Sequence, residues 1–242
     1  MQLAVDIGNT FAKAALFEGE KQLGFLRFET SKPEILKELF AGFGHPDAAM
    51  IASVTASDNG LTQMLEEICP VYHLSHETTL PFRITYEHPQ TLGRDRIAAV
   101  AAAYSRFPEK NVLVIDMGSC ITYDILQADG EYPGGIISPG IMMRLQAMHH
   151  FTSKLPLADF HAETPLTGRN TGMALNAGAL WGTRAETEGI IRLYEEIYED
   201  LTVLVGGGDN IYFDKKFRIS IFAAPNLVVE GLKFIMDFNK IG

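Results

Sequence analysis

The sequence predicts an α/β fold made of two similar domains, and three observations carry that prediction. A strand–turn–strand pattern near the start, VDIGNTFAKAALFEGE, restarts about 110 residues later as IDMGSCITYDILQADGE, setting Asp6 against Asp116, Gly8 against Gly118 and Leu16 against Leu126. Each copy is followed by alternating strand and helix patterns, the order of an α/β unit. The chain has 242 residues, 47% hydrophobic and 21% charged, the size and composition of one large globular domain or two small ones. A boundary near 108–112 gives domains 1–110 and 111–242.

Taken in order, residues 2–8 and 11–18 read as short strands joined by Asn9 and Thr10, and a third strand, 20–29, follows the turn at Gly19. A helix is expected over 31–43, with Ser31 as N-cap, Pro33 in the first turn and Ile35, Leu36, Leu39 and Phe40 as its apolar stripe. Residues 48–54 form a buried strand, and a helix runs from Ser57 or Asp58 to Cys69. Residues 80–92 are irregular and hold Tyr86, and the alanine-rich stretch 95–105 is a helix by intrinsic propensity. Strands at 111–116 and 120–127 reopen the pattern, with a turn at Gly130. A long helix covers 170–199, with Thr171 near its start and Gly172, Ala174, Ala177, Gly178, Gly182, Ala185 and Gly189 along it. Small residues let another backbone approach, from within the domain or from a second copy. A strand at 201–205 runs into Gly206-Gly207-Gly208-Asp209, and a last helix spans 225–238.

Composition excludes several classes of function. No apolar run approaches the roughly 20 residues that span a bilayer, and MQLAVDIGNT carries neither a basic segment nor a long apolar stretch, so neither a membrane protein nor a secretory leader is expected. Cys69 and Cys120 lack CxxC spacing, which fits a reducing cytoplasm and argues against structural zinc. A net charge of −10 argues against nucleic-acid binding, which needs clustered Lys and Arg. His73, His76, His149 and His150 have no supporting ligand cluster and are expected on the surface.

Three places in the sequence carry chemistry. Asp6-x-Gly8-Asn9-Thr10 and Asp116-x-Gly118-Ser119 each put a carboxylate at a strand end before a glycine turn with hydroxyl or amide side chains. Glycine lets backbone amides approach phosphate oxygens, a hydroxyl donates to them, and a carboxylate holds a charge-balancing cation. Lys13 lies on the second strand within reach of the same turn, and two such hairpins favour a ligand cleft over plain turns. Gly93-Arg94-Asp95-Arg96 opens the alanine-rich helix. A first-turn Asp is favourable at a helix N-terminus in any case. The bracketing arginines do not follow from capping and suit an anionic substrate, leaving Asp95 to accept a proton from its hydroxyl. No GxxxxGK[ST], strand–GxGxxG–helix or GxSxG pattern occurs, which disfavours P-loop, Rossmann and α/β-hydrolase readings.

The combination of DIGNT at 6–10, GRDR at 93–96, DMGSCIT at 116–122, GGIISPG at 134–140 and Gly168-Arg169-Asn170-Thr171 resembles type III pantothenate kinase, over nearly the whole chain and in the family's order. The resemblance implies two actin-like (ribonuclease H-like) domains of the acetate and sugar kinase, Hsp70 and actin superfamily, with a nucleotide cleft between them. It also implies ATP-dependent phosphorylation of pantothenate to 4′-phosphopantothenate. By position, Asp6, Ile7, Gly8, Asn9, Thr10, Phe11, Ala12 and Lys13 would cradle the ATP phosphates, and Ser119 would donate to them. Asp95 would be the general base, and Tyr86, Gly93, Arg94, Asp95, Arg96 and Thr171 would bind pantothenate, Thr171 across a homodimer. Asp116 would ligate a monovalent cation, potassium or ammonium, with magnesium accompanying ATP. The chain departs from the family in Ser119, where threonine is usual, and in Cys120, where alanine is usual; serine keeps the donor hydroxyl. The competing readings are another small-molecule kinase of the superfamily and a non-catalytic nucleotide-binding regulator. The first is disfavoured by GRDR between the phosphate loops, the second by the presence of Asp6, Asp95 and Asp116.

Overall fold

Two five-stranded sheets with one shared strand order organise the chain. The computed structural model describes residues 1–53, 60–213 and 221–242. In chain order its first elements are β1 (Gln2–Ile7), β2 (Phe11–Glu18), β3 (Lys21–Glu29), α1 (Leu36–Phe43), β4 (Ala48–Ser53), α2 (Leu61–Glu66), β5 (Val71–His73), β6 (Arg83–Ile84) and α3 (Arg94–Arg106). There follow β7 (Val112–Met117), β8 (Cys120–Leu126), β9 (Glu131–Tyr132), β10 (Gly134–Pro139), α4 (Ile141–His150), α5 (Thr171–Glu195), β11 (Thr202–Gly206), β12 (Phe222–Ala223) and α6 (Leu227–Phe238). The sheets run β3-β2-β1-β4-β5 and β10-β8-β7-β11-β12, so the repeat read from Asp6 and Asp116 is a repeat of topology.

One unit comprises Met1–Glu109, Leu126–Gly134 and Asn226–Gly242. Its strands β1, β2 and β3 form an antiparallel meander, while β4 and β5 join β1 in parallel. Period-two alternation sends Leu3, Val5 and Ile7 into a core with Leu36, Leu39 and Phe40 of α1 and Leu61 and Leu65 of α2. The opposite face carries Ala4, Asp6, Lys13, Ala15 and Phe17, and Lys233 of α6 stands 5.9 Å over the Phe17 ring. There α6 packs on β1 and β4 and crosses α3. A side chain at Gly231 would come within 1.7 Å of the Ala98 carbonyl, so the α3–α6 crossing depends on glycine meeting an alanine face. β6 pairs in parallel with β9, and Arg83 is ion-paired to Glu131.

The other unit comprises Lys110–Ile125 and Gly135–Pro225. β7, β11 and β12 are parallel, and β10 forms the edge beside β8. A Cβ on Gly135 would sit 1.7 Å from the Tyr123 carbonyl, so this edge strand needs glycine to approach its neighbour. Leu113, Ile115, Met117 and Ile121 pack against Ile141 and Leu145 of α4 and Leu175 and Leu180 of α5.

Several elements differ from the sequence expectation. The helix expected over 31–43 begins as a 3-10 turn, Pro33–Ile35, and Ser31 makes no cap; its hydroxyl donates instead to Glu29 at 3.4 Å. The proposed helix start at Ser57 or Asp58 lies outside the described residues. α5 stops at Glu195 rather than 199. Residues 126–134 and the last helix, expected within 111–242, cluster with the first unit, because β9 pairs with β6 and α6 packs on α3. Among the described residues no helix is long and apolar enough to cross a membrane.

Candidate functional site

Asp6 ends β1 on the sheet face away from the α1–α2 core. It stands opposite Lys13 of β2, and Lys13 stands opposite Arg27 of β3, so one carboxylate and two cations line up across three strands. Ile7 and Ala12 are fully buried, so of the expected phosphate stretch these two can offer only backbone. Asn9, Thr10 and Phe11 are exposed. The Gly8 N–H donates to the Phe11 carbonyl at 3.1 Å, where a Cβ on Gly8 would press to 3.0 Å. Thr30, which sequence reasoning passed over, anchors the turn from behind. Its hydroxyl donates to the Gly8 carbonyl at 3.2 Å and its N–H to the Thr10 carbonyl at 3.1 Å. Arg27 lies 3.8 Å from the Phe11 ring centre, a cation–π contact that backs the exposed ring.

The second turn is one residue tighter. Gly118 and Ser119 alone connect β7 to β8, and the Gly118 N–H donates to the Cys120 carbonyl at 2.9 Å. Two glycines from elsewhere in this unit press on it. The Gly140 N–H donates to the Ser119 carbonyl at 3.0 Å, and a Cβ there would fall 2.2 Å from the Gly118 carbonyl. Gly207, at φ +88°, would put a Cβ 2.2 Å from the Met117 carbonyl. The motifs GGIISPG and GGGD thus serve as backbone supports of the Asp116 turn. Asp116 is half-buried, level with Gly206 on β11, and Ser119 is exposed. Among the described residues no three His, Cys, Asp or Glu side chains gather as a metal site.

Gly93 caps α3, and the Ile97 N–H donates to its carbonyl at 3.1 Å. Its φ of −59° needs no glycine, but a Cβ there would meet the Asp95 carboxylate at 2.4 Å. Glycine therefore leaves room for Asp95 to fold back over the helix start, where its Oδ1 accepts the Arg96 N–H at 2.9 Å. Arg94 and Asp95 are half-buried, and Arg96 is only 5% exposed, its guanidinium 5.9 Å from the Tyr86 ring centre. Tyr86 in turn lies on Gly134, where a Cβ would meet the ring at 2.5 Å. Tyr86, Gly93, Asp95 and Arg96, close in the chain, are grouped with the distant Gly134 in the first unit by these contacts. Gly134 joins them without having been singled out as a site residue.

Thr171 opens α5 in the second unit and is exposed, while the Asn170 side chain caps the helix by accepting the Met173 N–H at 2.8 Å. Along α5, Ala174, Gly178 and Ala185 are exposed, and a Cβ added at Gly178, Gly182 or Gly189 would meet nothing within 4 Å. Of the small residues along α5, Ala174, Gly178 and Ala185 face outward, while Ala177 is buried within the unit.

A family model described as Type III pantothenate kinase matches residues 2–193. A type III pantothenate kinase of Christiangramia forsetii is 40% identical over 244 residues, covering 99% of both chains. One of Bacteroides fragilis is 39% identical over 240 residues, again with 99% of each chain. Among solved structures, a Streptomyces griseus ROK family glucokinase in complex with glucose and AMPPNP aligns at TM-score 0.55 and 13% identity, covering 100% of this chain and 99% of that one. A Campylobacter jejuni protein of the Baf family of transcriptional activators aligns at TM-score 0.61 and 22% identity over 98% of each chain. At such identities these two speak to the fold alone, which each shares over nearly the full length of the chain.

Proposed function

Since the chain belongs to the type III pantothenate kinase family, we propose that its two glycine turns and the start of α3 divide the work of phosphorylating pantothenate. The reaction carries the γ-phosphoryl group of ATP to the pantothenate hydroxyl, giving 4′-phosphopantothenate and ADP, the first committed step of coenzyme A synthesis. The observation that carries the residue assignment is the helix start, where a carboxylate, a buried arginine and an aromatic ring meet around Gly93.

In this reading Asp95 accepts the proton of the attacking hydroxyl as its oxygen bonds to the γ-phosphorus and the bridging oxygen leaves with ADP. Arg94 and Arg96 offset the charge of the pantothenate carboxylate, and Tyr86 forms a wall of its pocket. Backbone amides and side chains of 6–13 hold the ATP phosphates, with Lys13 as the cation and Asn9 and Thr10 as donors. Ser119 donates from the second turn. Phosphoryl transfer rests mostly on such positioning and charge stabilisation. Magnesium accompanies ATP. The Asp116 carboxylate at the end of β7 is an oxygen donor, the kind that fits a hard cation such as potassium. The cation would lower the negative charge that the phosphates meet there.

The reading extends to a cytoplasmic homodimer in which α5 packs through its outward small residues and Thr171 reaches the partner's pantothenate pocket. Light scattering that found a fully active 26.7 kDa monomer would remove that role. The central test is Asp95→Asn. The amide oxygen still accepts the Arg96 N–H, so melting temperature and the KM for ATP should hold, while turnover falls about 10²–10⁴-fold. Near-normal turnover would take Asp95 out of the chemistry.

A further inference from the structure

The second glycine turn is held from a distance by one guanidinium. Arg144, in the first turn of α4, folds back along the chain. Its Nε donates to the Pro139 carbonyl at 2.8 Å, and its Nη2 donates to the Ser138 hydroxyl at 3.1 Å and to Glu186 of α5 at 2.7 Å. Glu186 is itself placed by β8. Its other oxygen lies 3.4 Å from the Tyr123 hydroxyl, which meets the Thr187 hydroxyl at 3.0 Å. Arg144 and Glu186 are largely buried, with side chains 20% and 30% exposed. The two residues Arg144 grips immediately precede Gly140, whose N–H bonds the Ser119 carbonyl and whose Cα faces the Gly118 carbonyl.

The backbone pairing here does not run through the guanidinium: β10 is paired to β8, and the Arg144 N–H makes an ordinary helical bond to the Gly140 carbonyl at 3.0 Å. A planar fork on three acceptors fixes direction in a way a flexible ammonium does not.

We propose that Arg144 and Glu186 are positioning residues, which hold 138–140 against the Gly118-Ser119 backbone and thereby set where the Ser119 hydroxyl stands toward ATP. The inference rests on the reading of Ser119 as a phosphate donor, and the test separates the two. Arg144→Met, Arg144→Lys, Glu186→Gln, Ser119→Ala and the double variant Ser119→Ala/Arg144→Met are compared in the full chain, with KM for ATP and for pantothenate measured separately beside melting temperature. Arg144→Met should raise the KM for ATP about ten-fold and leave that for pantothenate within about two-fold, because the proposed pantothenate contacts of the first unit are not touched. Lysine should recover only part of the loss, and Glu186→Gln should shift the same constant less. In the Ser119→Ala background, Arg144→Met should add under about two-fold, since residues acting through one another are not additive. If Arg144→Met does not fold, the Lys and Gln variants decide by the same split. A raised KM for ATP in Ser119→Ala with none in the Arg144 or Glu186 variants overturns the proposal and leaves the phosphate reading standing. An unchanged KM in Ser119→Ala removes both. Full multiplication of the two effects, or complete recovery by lysine, also overturns it.

Discussion

Gly134→Ala tests the placement of Tyr86 without altering any side chain proposed to meet substrate. The new methyl would lie 2.5 and 2.7 Å from two carbons on one edge of the ring. Carbon atoms in contact sit about 3.5–4.0 Å apart, so the ring has to retreat by roughly 1 Å. Gly134 also has φ +115°, where an L side chain is strained by about 1–3 kcal/mol. Overpacking adds about 1–3 kcal/mol. At about 2–4 °C per kcal/mol for a chain of this size, melting should fall roughly 5–20 °C. A 1 Å displacement at a binding wall can cost up to about 10²-fold, so kcat/KM for pantothenate should drop about ten-fold or more while the KM for ATP holds. Adding Gly134→Ala to a Tyr86→Ala background leaves only the backbone strain, and the extra melting loss should shrink accordingly. Steady-state kinetics and differential scanning fluorimetry on the three variants read all of this. A Gly134→Ala protein that melts early yet handles pantothenate normally would refute the assignment of Tyr86 to the pocket.

Asp116→Asn should lower activity by weakening a cation site, and raising potassium should restore part of it. A loss indifferent to potassium, ammonium or sodium would mean that Asp116 serves the phosphates or magnesium instead. In a native thiol titration the half-buried Cys120 should react first and the buried Cys69, whose thiol burial pushes up, only after urea. ATP should slow the Cys120 reaction, and equal rates with and without nucleotide would argue against phosphate at the neighbouring Ser119. Burial raises the Tyr123 hydroxyl from its ordinary 10 to about 12. The folded state then keeps a proton that the unfolded state loses, so the contribution is intact below pH 10 and is lost as pH climbs to about 12. Urea midpoints should show that decline in the parent chain and a flatter one in Tyr123→Phe.

The hairpins and the helix at 95–105 were legible because their signals are local: alternating apolar residues, a glycine turn, a run of alanines. Helix α4 was left unassigned although IMMRLQAMHH is composed largely of helix formers, whereas the five strands the sequence left unassigned have no such signal. β5, β6, β9 and β12 are two or three residues long and owe their state to a neighbour strand. β10 is half glycine and proline, a composition poor in strand propensity, and it pairs because Gly135 admits the Tyr123 carbonyl. Ser31 looked like a cap but its hydroxyl found Glu29. Of the candidate site, the grouping of Gly93, Asp95 and Arg96 was legible, because they are consecutive or nearly so. Thr30, Gly134 and Arg144 act through tertiary contacts that no spacing announces. Gly231 does carry a signal in the sequence: one glycine in an apolar helix, matched to an alanine-rich partner, marks a close helix crossing.

That crossing has a consequence for how the protein is made. The unit that carries Asp95 draws its last helix from Asn226–Gly242, so on the ribosome it cannot be completed until that segment has emerged. Until then α3 presents Ala98, Ala101 and Ala102, buried in the finished protein, with no α6 to cover them. N-terminal domains commonly fold while the remainder is still being synthesised. Here the β1–β5 sheet and α3 would wait, and a nascent chain stalled before residue 226 should be trapped by a chaperone or cut by a protease within its first hundred residues rather than in its second unit.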